Sequence, residues 1–332
     1  MPSTTTPTVF VTGATGEIGS KLVTLLQSTK TPTRVLCRRQ DQADKFNQQP
    51  HVEAALGDLN QPADALASHM SGCKTLFLLT PPGPNQLGME TSAIDAAIST
   101  GTVEHIVKIA ASDQRPETDV PWAKAHYFAE EHMREACDKT GVKWTSLRAS
   151  GFMSNLLTAA PAIQKGFLPQ TSGGGRAPWV DTADVAAVAH RIILDGPQAS
   201  KHASKAYILT GPQRLNMSEF AAALSRGIGH RVRYLHLPAP LFRRMVKLGG
   251  GADDFMADGL VAQFVEIVRA DGDVGVSRDV EEVLGRPATS VEQWGVRNKD
   301  RFEGFDVVPY LASGFVVGVA VLGYLVQRRG LL

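Results

Sequence analysis

The sequence predicts an α/β protein built on a doubly wound parallel sheet. Its first half alternates short apolar runs with longer stretches of helical spacing, which is typical of parallel strands joined by crossover helices. Gly101 and Gly141 follow two of these stretches, where a left-handed glycine often ends a helix. The predicted strands are Val9–Val11, Thr33–Cys37, His51–Leu56, Thr75–Leu79, His105–Ile109 and Val142–Leu147, and the predicted helices between them include Pro62–Met70, Gln86–Thr100 and Trp122–Thr140.

A glycine-rich turn, Thr12–Gly19, connects the first predicted strand to an amphipathic helix. Gly13 permits a tight turn, Gly16 lets a pyrophosphate approach the backbone, and Gly19 lets the helix pack closely on the sheet. The helix start offers N–H groups and a partial positive charge to an anion. The stretch indicates a dinucleotide-binding Rossmann fold, and the alternative is a plain strand-to-helix turn. The candidate cofactor contacts are Gly13, Thr15, Gly16, Glu17, Ile18 and Gly19.

The same pattern predicts the domain organisation. Residues 1–7 are expected to be a disordered lead-in, and residues 8–150 form the predicted NAD(P)-binding domain. Residues 151–304 are expected to be a smaller α/β substrate-side region of the same compact unit, because no linker separates the halves. Its predicted elements are a loop at Pro169–Gly175, strands at Ala177–Val180, Ala206–Leu209 and Val232–Leu235, and helices at Thr182–Leu194, Asn216–Arg226, Pro240–Leu248, Asp254–Ala270 and Ser290–Arg301.

The C-terminal run at 307–326 holds twenty residues without a charge, and Arg328 and Arg329 follow it. A helix of that length can cross a hydrocarbon core of about 30 Å. Tyr310 and Tyr324 stand near its two ends, where aromatic residues favour the membrane interface. The run predicts a single-pass transmembrane helix that leaves the catalytic domain in the cytosol. The alternative is a tail that docks on the domain of a cytoplasmic protein.

Composition excludes several classes of protein. The 332 residues are 43% hydrophobic and 20% charged, as in an ordinary globular protein with ample core. A formal net charge of +1 and the lack of a basic block argue against nucleic-acid binding. Cys37, Cys73 and Cys137 are odd in number and widely spaced, which indicates free thiols in a reducing compartment. No histidine pair has the spacing of a zinc hydrolase, so no metal is expected.

Further candidate contacts follow the predicted strands, because ligands of such folds lie outside the carboxyl ends of the strands. Arg38 follows the second strand and suits the 2′-phosphate of NADP; the alternative is that Arg38 and Arg39 are simply exposed basic residues. Asp58 follows the third strand, where its carboxylate would hold an adenine amino group. Thr80 and Pro81 open a rigid lip beside the sugar and nicotinamide.

These motifs together resemble the NmrA-like branch of the atypical short-chain dehydrogenases, which includes NADPH-dependent quinone reductases and nitrogen-metabolite sensor proteins. The likeness spans residues 8 to about 295. The segments that carry it are Thr12–Gly19, Gly57–Leu59, His126–Glu130, Leu147–Asn155, Trp179–Ala186, Tyr207–Pro212 and Leu284–Pro287. The resemblance implies a bound NADP(H), with Gly13, Gly16, Ile18 and Gly19 at the pyrophosphate, Arg38 at the 2′-phosphate, and Phe152 and Asn155 near the substrate cleft.

One departure from the wider superfamily concerns proton transfer. Short-chain dehydrogenases commonly use a Tyr-x-x-x-Lys pair as the acid, and the sequence contains none. The remaining proton sources are solvent, His126 and Tyr127. Glu130 stands one helical turn from His126 and would orient it. The alternatives are a helix-surface pair, or a histidine that only packs on the nicotinamide riboside.

Two functions from different classes follow. The first is an NADPH-dependent oxidoreductase that passes hydride to a small apolar acceptor such as a quinone, an enone or an imine, because such acceptors need little help from the protein. The second is a non-catalytic redox sensor that binds NADP(H) and regulates a protein partner. The missing Tyr-x-x-x-Lys pair favours the sensor, and sequence alone leaves both open.

Overall fold

A computed structural model of the chain describes residues 8–196, 201–250, 252–268 and 275–303. It is an α/β structure around a parallel sheet of seven strands, so the predicted fold class is confirmed. The predicted lead-in at residues 1–7 and the predicted membrane helix at 307–326 lie outside the described residues. Within the described residues, we find no helix with the length and apolar character needed to cross a membrane. The membrane anchor therefore stays a prediction.

The strands agree closely with the apolar runs of the sequence. All six strands predicted in the first half form, with ends shifted by at most two residues. The strands in the described residues are β1 (Val9–Val11), β2 (Thr33–Cys37), β3 (Val52–Leu56), β4 (Thr75–Leu78), β5 (His105–Ala111), β6 (Lys143–Ala149), β7 (Phe167–Gln170), β8 (Lys205–Leu209) and β9 (Arg233–His236).

Helices connect these strands. Those in the described residues are α1 (Glu17–Ser28), α2 (Gln40–Asn47), α3 (Ala63–Met70), α4 (Gln86–Ser99), α5 (Pro121–Thr140), α6 (Ala160–Gln164), α7 (Thr182–Asp195), α8 (Met217–Ile228), α9 (Ala239–Gly250), α10 (Asp254–Ala262), α11 (Asp279–Leu284) and α12 (Val291–Arg297). Gly101 and Gly141 both adopt the predicted positive φ, and Gly141 ends α5 in the left-handed conformation. Short 3₁₀ segments lie at Met153–Ala159 and Lys299–Phe302, and a π-helical segment lies at Gln263–Val268.

The strand order of the large sheet is β3-β2-β1-β4-β5-β6-β8, and every pairing in it is parallel. The chain runs outward from β1 to β3 on one side, then returns to place β4 on the other side of β1. This reversal is the topological switch point, where ligands of such sheets bind at the carboxyl ends of the strands. Phe10, Leu76 and Ile106 on three neighbouring strands are fully buried, as expected for a sheet covered on both faces.

The chain forms two compact units. The first contains the described residues up to Ser150 together with Thr182–Thr210 and Ser277–Ala288. The second contains Gly151–Asp181, Gly211–Val276 and the described residues from Thr289 onward. The sequence predicted one boundary near residue 150. In the structure, two later segments, Thr182–Thr210 and Ser277–Ala288, also belong to the first unit. The physical reason is β8, which pairs with β6 and extends the large sheet by a seventh strand.

The second unit is organised around a small parallel sheet and an aromatic core. β7 pairs with β9, so the predicted loop at Pro169–Gly175 in fact begins inside a strand. The predicted strand at Ala177–Val180 is also corrected, since it forms only isolated bridges, to Leu215 and Phe152. The core includes Trp179, Phe220, Phe242, Phe264 and Trp294.

The start of helix α8 was correctly predicted. Asn216 is its N-cap and accepts a hydrogen bond from the backbone N–H of Glu219, while the Glu219 carboxylate accepts one from the N–H of Asn216. This capping box satisfies two backbone donors at once. It fixes the helix that contributes Phe220 to the core of the second unit.

Candidate active site

The glycine turn has the shape expected of a phosphate cradle. Gly13 has a φ of +65°, and a Cβ on it would lie 2.9 Å from the carbonyl oxygen of Leu79. A Cβ on Gly19 would lie 2.2 Å from the carbonyl oxygen of Gly13, closer than any real side chain permits. Gly16 differs, because its Cβ would meet that oxygen at 3.4 Å, an ordinary contact. The fold itself therefore requires Gly13 and Gly19, whereas the fold would accept a side chain at the exposed Gly16.

Thr12 fixes this turn to the end of β4. Its buried hydroxyl donates to the carbonyl oxygen of Leu79 at 2.9 Å and accepts from the N–H of Leu79 at 2.8 Å. The turn is thereby held at the switch point of the sheet. Sequence reasoning did not assign Thr12 a role, although a threonine directly after a buried strand is a recognisable signal for such a bond.

The start of α1 presents the predicted contact residues in two layers. Thr15, Gly16 and Glu17 are exposed, while Ile18 and Gly19 are buried beneath them. Gly16 is the N-cap and has no side chain with which to bond the first-turn N–H groups. Glu17 would repel a phosphate, but Lys21 lies 2.5 Å from its carboxylate and offsets that charge. The helix start can therefore face an anion.

The two arginines after β2 differ in their partners. Arg39 forms two hydrogen bonds to Asp41, both at 2.9 Å. Arg38 is exposed, and the structure gives it no hydrogen bond or ion pair within the described residues. Arg38 therefore has a guanidinium available for a 2′-phosphate, and that role stays a prediction. Arg39 is engaged with Asp41 in the first turn of α2.

The residues after β3 and β4 are placed at the same edge of the sheet. Asp58 is half-buried, and its Oδ1 accepts from the N–H and the side-chain amide of Asn60. Asn60 in turn accepts from Asn85, the residue before α4. Pro81 is exposed, but the hydroxyl of Thr80 is buried and donates to Glu90 at 2.6 Å. The Thr80 side chain therefore faces the protein interior, and its predicted cofactor contact would have to come from its backbone.

A buried charge cluster lies beside Thr80, formed by Thr80, Gln86, Glu90, Lys108 and His126. Lys108 is 0% exposed and its Nζ lies 2.9 Å from Oε2 of Glu90, which is 1% exposed. The same ammonium donates to Nδ1 of His126 at 3.0 Å and to the carbonyl oxygen of Ile109 at 3.0 Å. Sequence reasoning missed Lys108 and Glu90. The signal was a lysine inside the apolar strand β5, where a charge requires a buried partner.

The electrostatics of this cluster keep Glu90 ionised and His126 neutral near pH 7. Burial raises the pKa of Glu90, but the Lys108 ammonium and the hydrogen bonds from His126 and Thr80 outweigh burial and hold that pKa far below its ordinary value. Burial lowers the pKa of His126; Glu90 and Asp113 oppose that change, and Lys108 adds to it. His126 thus carries no charge of its own at neutral pH, and its ring lies between an ammonium and a carboxylate.

The predicted pairing of Glu130 with His126 is corrected by the structure. The Glu130 carboxylate instead binds Arg148 on β6, with Ser146 Oγ donating to it at 2.5 Å and Gln114 Nε2 at 2.7 Å. Glu90 takes the position beside His126, at 3.1 Å from Nδ1. Burial raises the pKa of Glu130. The hydrogen bonds from Arg148 and Ser146 lower that pKa by more than burial raises it, so the carboxylate is ionised. Glu130 attaches α5 to the sheet.

The other predicted site residues fall in both units. Tyr127 is half-buried next to His126 on α5 and packs edge-to-face on Phe128, with ring centroids 5.3 Å apart. Phe152 and Asn155 belong to the second unit, where Phe152 bridges Val180 and Asn155 is exposed. Their place in a substrate pocket stays a prediction.

Comparison with known proteins settles the family. The sequence profile of the NmrA-like family matches residues 5–302, nine-tenths of the chain. The chain belongs to the NmrA-like family. A NAD(P)H azoreductase from Xenophilus azovorans is 33% identical over 287 residues, which are 86% of this chain and 96% of that protein.

Two solved structures of NmrA-like proteins have the same fold. The NADPH-dependent quinone oxidoreductase of Escherichia coli, complexed with NADPH, superposes with a TM-score of 0.74 at 24% identity, covering 87% of this chain and 99% of that one. NmrA, a negative transcriptional regulator, superposes with a TM-score of 0.69 at 19% identity, covering 88% and 95%. The same fold therefore occurs in an enzyme and in a regulator.

Proposed function

We propose that this protein is an NADPH-dependent reductase that transfers hydride to a small apolar acceptor such as a quinone, an enone or an imine. The observation that carries the proposal is the exposed backbone of Gly16, which is the N-cap of α1 and lies at the switch point of the sheet. Its broader part, an NAD(P)H-dependent oxidoreductase, is supported by the azoreductase relative at 33% identity.

The residues present fit the cofactor. Gly13, Thr15 and Gly16 would line the pyrophosphate with backbone N–H groups, together with Glu17, Ile18 and Gly19 of the first helical turn. Arg38 would hold the 2′-phosphate that distinguishes NADPH from NADH. Asp58 would contact the adenine, and the backbone of Thr80 and Pro81 would lie beside the nicotinamide end. When bound, the nicotinamide supplies the hydride.

The chain's own part in the reaction is to orient the acceptor and to supply a proton. His126 lies at the carboxyl edge of the sheet, and its side chain is 12% exposed, so a ligand can reach it. Tyr127, adjacent on α5, is the second candidate donor. Phe152 and Asn155 are proposed to contact the acceptor, and Glu130 holds α5 in place. An apolar acceptor also suits the predicted membrane anchor at 307–326, which would bring the enzyme close to lipophilic compounds.

The experiment is a turnover assay. Purified full-length protein in detergent is mixed with NADPH and a panel of quinones, enones, imines and azo dyes, and NADPH oxidation is followed by absorbance. Turnover with at least one acceptor, at a higher rate with NADPH than with NADH, is the expected result. Tight NADPH binding without turnover of any acceptor would contradict the enzyme proposal.

A second candidate function is a redox sensor that binds NADP(H) and regulates a protein partner. It is supported by the structural similarity to the regulator NmrA and by the absence of a Tyr-x-x-x-Lys pair from the sequence. A sensor would bind NADP⁺ and NADPH with comparable affinity and release a captured partner with only one of them. Titration of both forms therefore separates the two proposals.

A further inference from the structure

Lys108 is a buried charge that hydride transfer itself does not need. It stands in the middle of β5, next to Leu78 of β4 in the sheet register, with no exposed surface. Placing an ammonium there is unfavourable unless it is paired, and Glu90 provides the pair at 2.9 Å. A buried ion pair is weak support for stability, so its position beside a candidate proton donor requires another explanation.

The ring of His126 lies beside this pair, and its other nitrogen, Nε2, lies 3.2 Å from the side-chain amide of Gln86. Its Nδ1 lies 3.0 Å from Nζ of Lys108 and 3.1 Å from Oε1 of Glu90, so one ring nitrogen faces both an acid and a base. Nδ1 can accept a proton from the ammonium or, once protonated, donate to the carboxylate. His126 is also the most exposed member of the cluster, at 12%, whereas the four other side chains are at most 6% exposed.

We propose that Lys108, Glu90 and His126 form a proton relay that replaces the missing Tyr-x-x-x-Lys pair; the proposal rests on the reductase function above. After hydride reaches a quinone-type acceptor, Nε2 of His126 gives its proton to the acceptor oxyanion, so that an N–H bond breaks and an O–H bond forms. Nδ1 takes a proton from the Lys108 ammonium and then donates a hydrogen bond to Glu90. Water returns a proton to Lys108 by the reverse path after product release.

The chemistry of the two ends is matched. At one end an ammonium gives up a proton, and at the other the acceptor oxyanion takes one up. A neutral imidazole alone is a poor acid, but it becomes effective when its second nitrogen is reprotonated as the first one donates. Lys108 and Glu90 are positioning residues in this scheme, because they act through His126.

The test exploits acceptors that differ in their need for a proton. A quinone needs one hydride and one proton, whereas a triarylmethyl cation dye needs the hydride alone, because hydride neutralises its cationic carbon. The variant is Lys108→Met combined with Glu90→Gln, since removing one partner would leave the other charge buried and unpaired. The matched control is Lys74→Met with Glu104→Gln, an exposed pair (2.6 Å) that directly precedes β4 and β5.

The double variant is expected to bind NADPH as the wild type does and to lose about 100-fold in kcat on the quinone, the effect of a general acid. Its kcat on the dye should change by less than about twofold, and the control should match the wild type on both acceptors. An unchanged quinone rate, or equal losses on both acceptors, would overturn the relay.

A second readout uses the quinone alone. The measurement is kcat as a function of the D₂O fraction of the solvent. If two protons move together in the wild type, this plot is curved, whereas the double variant, in which only one proton moves, gives a straight line. A straight line for the wild type would contradict the relay. Failure of the reductase proposal is distinct from either result, because the wild type would then bind NADPH and reduce no acceptor.

Discussion

Glu130 on α5 and Arg148 on β6 form an ion pair in which the carboxylate is 1% exposed and the guanidinium side chain 31% exposed. Ser146 donates a further hydrogen bond to the same carboxylate at 2.5 Å. The three residues join a helix of the first unit to the strand beside it. Because the carboxylate is shielded from water and several donors bind it, removing its charge would leave those donors without their charged acceptor.

Replacing Glu130 with Gln is therefore expected to destabilise the protein by about 2–3 kcal/mol, because Arg148 and Ser146 lose a charged acceptor. Urea unfolding followed by circular dichroism measures this change. Glu131→Gln is the matched control, since the neighbouring carboxylate binds Arg134 on the surface of the same helix. That variant should differ from the wild type by less than about 0.5 kcal/mol. Equal effects of both variants would refute the structural role of Glu130.

Gly16 and Gly19 are expected to respond differently to substitution by alanine. Gly19→Ala places a Cβ 2.2 Å from the Gly13 carbonyl oxygen, so the turn must move and both stability and NADPH binding should be lost. Gly16→Ala should unfold within a few degrees of the wild type, because its Cβ meets only an ordinary contact. The same substitution should still weaken NADPH binding at least tenfold, which is about 1.4 kcal/mol, because the new methyl group would obstruct the pyrophosphate. Thermal unfolding measures the stability, and fluorescence titration measures the affinity for NADPH. An unchanged affinity in Gly16→Ala would contradict the assignment of this turn as the phosphate-binding site.

Arg38 should determine the preference for NADPH over NADH. Arg38→Ala is expected to weaken the binding of NADPH by about ten- to a hundredfold and to leave the affinity for NADH nearly unchanged, because only NADPH carries the 2′-phosphate. Arg39→Ala is the control: its guanidinium is engaged with Asp41, so the two cofactors should be affected alike. Calorimetric titration of both variants with both cofactors is the measurement. Parallel losses in Arg38→Ala would refute the assignment.

His105 predicts a pH dependence of stability. Burial lowers its pKa to about 4, with His202 adding to the effect, whereas an unfolded histidine titrates at about 6.5. Between these values the unfolded chain binds the proton and the folded chain does not, so stability is complete above about pH 6.5 and falls as the pH drops towards 4. From pH 7 to pH 5 this amounts to about 2 kcal/mol.

The variant that checks this is His105→Gln, which can keep the hydrogen bond to Thr145 that the ring makes at 2.8 Å. Urea unfolding at pH 7 and pH 5 should show a smaller loss for the variant than for the wild type. His126 also has a lowered pKa and contributes in the same direction, but it is present in both proteins, so the difference isolates His105. Equal slopes would show that another group controls the acid sensitivity.

The predicted anchor at 307–326 has a direct test. Full-length protein expressed in cells should sediment with membranes and require detergent for release, because twenty uncharged residues favour the bilayer. A chain that ends at residue 303 should stay in the supernatant. Full-length protein that remains in the supernatant without detergent would end the anchor hypothesis.

The sequence predicted most of the first unit because its central strands, β1, β4, β5 and β6, are mostly buried and read as apolar runs. It did not predict α2, whose residues are mostly polar and of which only Ala43 is buried, so no helical stripe is visible. It also misplaced the start of the loop after Leu168, because the pairing of β7 with β9 joins strands more than sixty residues apart. Long-range pairing of short strands leaves no local pattern.

The candidate site was predicted unevenly for a similar reason. The glycine turn and Arg38 are local motifs with a direct physical meaning, so a cofactor site could be proposed from their places in the sequence. The partner of His126 could not, because Glu90 lies 36 positions away on α4 and reaches the ring only through the fold. Helical spacing indicated Glu130 instead, which the sheet binds through Arg148. Lys108 inside an apolar strand and Thr12 directly after one were local signals that went unused.

The discontinuous first unit has a consequence for synthesis. A nascent chain that has emerged as far as Ala149 presents β6 as an open edge, and β8, which covers that edge, arrives 60 residues later. At about 5–20 residues per second the ribosome leaves this edge unpaired for roughly 3–12 seconds. Unpaired edges recruit other strands, so a fragment ending near residue 150 should aggregate when expressed alone. No single cut of the gene would yield the cofactor-binding unit by itself.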